Sequence, residues 1–140
     1  MGSLEEVQLK LDKKFQKVSE TLATFDLFVA IHDLVQYIES TPVLIKGLSG
    51  NIKINKELNV SAKYASLKNI YQGLEDIDAR SNRDLGHARY YAIRELTQIR
   101  AGETSESNTL WRKREGFKKF AKILHERLHA YLLQAEKSGK

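Results

Sequence analysis

The residues that could do chemistry lie near the end of the chain, in the run His125-Glu126-Arg127-Leu128-His129. Two histidines four apart on a helix project from one face and can grip a single Zn²⁺, and a glutamate after the first can serve as general base toward a metal-bound water. That pattern points to metal-assisted hydrolysis. It needs a third protein ligand, because a catalytic zinc is held by three side chains and keeps one position open. Only eleven residues follow His129, and Glu136 stands seven along on the same helix, too far to reach the metal. Arg127 brings a guanidinium beside the supposed ion. At 100° per residue Lys118 and Lys122 fall on the same flank as the histidines, where they repel a cation. The expectation is therefore that His125, Glu126 and His129 match a zinc-protease motif by coincidence, with no metal and no cofactor.

A second pair sits mid-chain. Arg80-Ser81-Asn82-Arg83-Asp84-Leu85-Gly86-His87 resembles the arginine–histidine signature of HEPN-domain ribonucleases, which are helical bundles of similar size. The resemblance covers these eight residues. It implies His87 as general acid and base and Arg80 as stabiliser of phosphate charge, in metal-independent RNA cleavage across a dimer. The other reading of the same residues is a surface arginine pairing with Asp76 or Asp84, four positions away on either side, and a solvent-facing histidine.

Charge marks a third candidate. The net charge is +5, and residues 109–127 hold seven basic side chains (Arg112, Lys113, Arg114, Lys118, Lys119, Lys122 and Arg127) against Glu115 and Glu126. The whole excess thus lies on one segment, and any preference for an anionic partner lies with it. Trp111 beside the basic run offers a ring for stacking on bases. Basic side chains in a first helical turn oppose the helix dipole, so an anion or the nearby Glu103 and Glu106 must offset them. The competing reading is an ordinary solvated lysine face.

These residues must be held by helices. A single proline argues against a loop-rich β-protein. Ser3-Leu4-Glu5-Glu6 reads as a capping box, and Leu4, Val7, Leu11, Phe15, Val18, Leu22 and Phe25 recur at helical spacing. Residues 26–40 are apolar nearly all round, which predicts a central helix covered on several sides. Thr41-Pro42 ends it and starts a short helix with Thr41 as cap. The segment 52–59 gives no clear pattern. A helix beginning near Ser61 presents Tyr64, Leu67, Tyr71, Leu74 and Ile77, and a resumed stripe carries Leu85, Ala88, Ala92, Leu96 and Ile99. Residues 101–108 form a polar loop opened by a glycine. A last helix runs over 109–136 with Leu110, Phe117, Ala121, Leu124, Leu128, Tyr131 and Leu132 inward.

The expected fold is all-α, an antiparallel helical bundle of four to six helices in a single domain, 1–140. Met1-Gly2-Ser3 reads as an expression leader, and the chain can also be a piece of a longer one. With 140 residues there is enough chain to bury a core without staples, and cysteine is absent. That fits an intracellular, cytoplasmic protein. No apolar run reaches the length of a membrane span.

The expected role is a non-enzymatic interaction module, with a protein partner or a second copy of the chain as ligand. The near-heptad seam of the first helix serves either that contact or internal packing. The alternative is the Arg80/His87 ribonuclease. The third is a nucleic-acid-associated accessory protein using Trp111, Arg112, Lys113, Arg114, Lys118, Lys119 and Lys122.

Overall fold

The computed structural model describes residues 3–49, 60–79, 86–102 and 108–137. Within them the chain forms six helices and no strand: α1 Leu4–Glu20, α2 Thr24–Glu39, α3 Pro42–Ser49, α4 Val60–Ala79, α5 His87–Arg100 and α6 Thr109–Lys137. The protein is an all-α helical bundle. None of the described helices is long and apolar enough to cross a membrane. The segment 52–59 and the loop residues Glu103 and Glu106 lie outside the described residues.

Helix α2 is the hub. It packs against α1, α3, α4, α5 and α6, as its lack of a polar face requires. Leu27, Phe28, Ala30, Ile31, Leu34, Val35 and Ile38 are all buried, and Phe28 meets Phe117 of α6 edge to face at 5.6 Å. Leu67, Ile70 and Leu74 of α4, Leu96 and Ile99 of α5, and Leu124, Leu128 and Leu132 of α6 complete one continuous core.

The ends of the helices are chemically marked. The Glu6 N–H donates to Ser3 Oγ at 3.2 Å, so Ser3 caps α1 as the capping box predicts. Helix α1 stops at Glu20, earlier than its apolar stripe suggests. Leu22 falls in the turn and is 88% exposed, because a stripe reports apolar spacing and not the point where the chain must reverse. The seam before it is spent inside the chain: Leu11 and Val18 are fully buried, with Leu4, Val7 and Phe15 packed around them.

Thr41 stands at the junction of α2 and α3, but its hydroxyl donates backward to the Tyr37 carbonyl at 2.7 Å. It therefore closes α2 with its side chain, while its own carbonyl accepts the first amide bonds of α3, from Leu44 and Ile45. At the start of α6, buried Asn108 accepts from the Trp111 N–H and donates to the Glu95 carbonyl and to Gln98. Glu95 of α5 also accepts the Thr109 N–H at 2.9 Å. That carboxylate offsets the helix dipole where the sequence puts basic residues.

Two buried polar groups sit on the inner faces of α2 and α4. The Tyr64 hydroxyl is buried with no partner among the described residues, and burial pushes its phenol well above the usual range. His32 lies flat on Tyr71, with ring centroids 3.5 Å apart, and its Nδ1 is also buried without a partner. Burial lowers the His32 pKa below its ordinary 6.5; Asp33, Glu75 and Glu39 pull it upward and Lys68 pulls it down.

Below pH 6.5 the unfolded chain takes up a proton at this position that the folded chain resists. The stability owed to neutral His32 is complete above about pH 6.5 and is lost as pH falls toward the depressed folded value. Urea unfolding of wild type and His32→Phe between about pH 7.5 and 5 is expected to show the wild type losing more stability. Parallel curves would remove His32 from the account.

Candidate functional site

Helices α1 and α6 lie side by side, and most of the chemistry-bearing residues gather along their seam. On α6, His125 and His129 point toward α1 with ring centroids 5.8 Å apart. On α1, Gln8, Asp12 and Phe15 recur at four and three residues, so they share one face. Asp12 Oδ1 lies 2.7 Å from His125 Nε2 and 3.4 Å from His129 Nδ1. Phe15 stacks on the His125 ring at 4.3 Å, nearly parallel. The Gln8 amide nitrogen is 3.3 Å from both nitrogens of His129.

The three groups are accessible but not loose. The His125 side chain is 18% exposed, His129 35% and Asp12 40%. Their ligand atoms all lie within 4.8 Å of one another. Glu126 faces solvent and is not among them. A sequence search for a third ligand looks downstream of His129; the fold supplies a carboxylate from more than a hundred residues upstream. Asp12 leaves one trace in the sequence, being the sole acid between Glu6 and Glu20 in a lysine-rich helix.

The basic residues divide around the first half of α6. On the α1 side Lys118, Lys119, Lys122 and Glu115 line a cleft of about 370 Å³ whose floor is Phe15 and Val18. On the α4 side Arg112, Lys113 and Gly116 join Ala62, Lys63 and Ser66 around Phe117, in a second cleft of about 350 Å³. Lys63 lies over the Phe117 ring at 5.1 Å. Trp111 is half-buried against the core, and the Arg114 guanidinium covers one face of its indole at 4.5 Å. It is not an open platform for a base. Arg114 also pairs with Glu115 and holds that carboxyl below the usual carboxylate range.

His87 is the first residue of α5 and is exposed; Gly86 stands before it as N-cap without a side-chain bond. The neighbouring Tyr90 and Tyr91 are exposed and meet edge to face. Arg80 and Asp84 lie outside the described residues, as does the side chain of Asp76. No protein-family model, curated protein or solved structure matches this chain.

Proposed function

We propose that the protein is a non-catalytic helical binding module whose recognition surface is the α1/α6 cleft, and that its ligand is an acidic, amphipathic segment of a protein partner. One observation carries this reading. Three of the seven basic residues that carry the excess charge, Lys118, Lys119 and Lys122, border with Glu115 an open cleft floored by Phe15 and Val18. Such a surface rewards a ligand with an apolar residue for the floor and carboxylates for the rim. Nucleic acid is served less well, because the one tryptophan is half-buried with Arg114 over its ring. With no stacking platform in the basic run, phosphate contacts alone would remain.

The test is fluorescence anisotropy with a labelled peptide bearing Glu on one helical face and Leu on the other. Binding is expected to weaken about tenfold or more in Lys118→Glu/Lys122→Glu, with a shallower salt dependence. Oligouridine binding in place of peptide binding, lost in the same variant, would replace the protein partner by RNA. Cleavage of RNA that disappears with His87→Ala would replace the binding reading altogether.

A further inference from the structure

We propose that Asp12, His125 and His129 form a binding site for a divalent first-row transition metal that clamps α1 to α6. The ligand set is one carboxylate oxygen and two imidazole nitrogens, and the imidazole pair, as borderline donors, suits zinc and its neighbours in the series better than magnesium or calcium. Tetrahedral zinc with bonds of about 2.0–2.1 Å places its ligand atoms about 3.3–3.4 Å apart. His129 Nδ1 and Asp12 Oδ1 already stand at 3.4 Å. The 2.7 Å separation of His125 Nε2 and Asp12 Oδ1 is that of a hydrogen bond. An ion entering there takes the place of the proton between them, and the pair opens by about 0.6 Å to reach a tetrahedral edge.

The surroundings hold the ligands in place. Phe15 packs flat on His125 and limits its rotation. Gln8 of α1 stands beside His129, its amide nitrogen 3.3 Å from both ring nitrogens. Lys122 projects one turn before His125 but is exposed, where solvent and salt screen its charge.

This is not the zinc-protease arrangement that the motif suggests. Glu126 is turned to solvent, and the described residues contain no strand for a substrate to lie against. The third ligand comes from another helix, so the ion joins two elements of the bundle and leaves a coordination position for water or a side chain of a partner. The site stands one helical turn from the α1/α6 cleft and shares Phe15 with it, yet the metal proposal rests on its own geometry and needs no peptide ligand.

The experiment uses the tag-free chain and Zn²⁺ in isothermal titration calorimetry, with Co²⁺ absorption as a second probe. One equivalent of Zn²⁺ is expected to bind with a dissociation constant below about 10 μM, undisturbed by millimolar Mg²⁺. Asp12→Asn, His125→Ala and His129→Ala are each expected to weaken binding by about tenfold or more. Cobalt is expected to give the intense visible bands of a four-coordinate site in wild type and to lose them in Asp12→Asn. Asp12→Asn is partly exposed and nearly isosteric, and circular dichroism of each variant confirms that it is folded. Zinc binding that is unchanged in Asp12→Asn would overturn the site, leaving only the chelate of two histidines on one helix. Absence of binding to wild type would overturn it as well.

Discussion

Replacing Phe28 by alanine is expected to destabilise the protein by about 3–5 kcal/mol, the range for truncating a buried aromatic side chain. Phe28 has no exposed surface and is among the largest fully buried side chains. It sits on α2, which touches every other described helix, and its ring meets Phe117 of α6 at 5.6 Å. Loss of the ring removes apolar area from the core and leaves a cavity that surrounding helices cannot close without moving α2. A domain of this kind is stable by only about 5–15 kcal/mol, so the variant should stand near the edge of folding. Urea unfolding followed by circular dichroism measures the change as a fall in midpoint at constant slope. Leu22→Ala serves as the contrast, since that side chain is 88% exposed. A cost below about 1 kcal/mol for Phe28→Ala would mean that α2 is not the hub described.

Gly47→Val is the second large effect, expected to cost about 1–3 kcal/mol through overpacking. The reason is contact and not backbone freedom. A Cβ at Gly47 would meet Tyr131 of α6 at 2.8 Å, with two further ring atoms at 3.1 and 3.2 Å. The ring lies flat on the glycine where α3 crosses α6, so it cannot yield by a small rotation of one terminal atom. Valine has better helix propensity than glycine, but that gain is below about 1 kcal/mol and does not offset the clash. Tyr131→Ala should restore part of the loss, and the double-mutant cycle should give a coupling of about 0.5–3 kcal/mol. Additive effects of the two substitutions would show that the glycine does not make room for the ring. Gly73 makes a gentler comparison, because a Cβ there meets only one methyl carbon of Leu96 at close range.

The same residues show how far local pattern reaches. Ser3, the all-round apolar stretch of α2 and the 109–136 stripe each announce a helix by themselves, because capping and amphipathic spacing act within a few residues. Leu22 shows where such reasoning stops, for it continues a perfect spacing yet lies outside the helix, exposed. Thr41 is similar: its type identifies a helix boundary, but which of two adjoining helices its hydroxyl serves depends on the angle of the turn. The dipole offset at α6 falls to Glu95, which lies 14 residues from the amide it accepts.

The zinc-like motif gives the sharpest division. The amino-acid sequence alone determines that His125 and His129 share a face and that Glu126 does not. It also determines an all-helical chain whose net positive excess lies on one segment, residues 109–127. Only the tertiary structure decides that Asp12, 113 residues before His125, lies 2.7 Å from it, and that Lys118, Lys119 and Lys122 border a cleft on Phe15 and Val18. The physical reason is that helical periodicity names the face a residue occupies but not the helix that face will meet. That choice, and the register of one helix against the other, comes from the packing of side chains around α2.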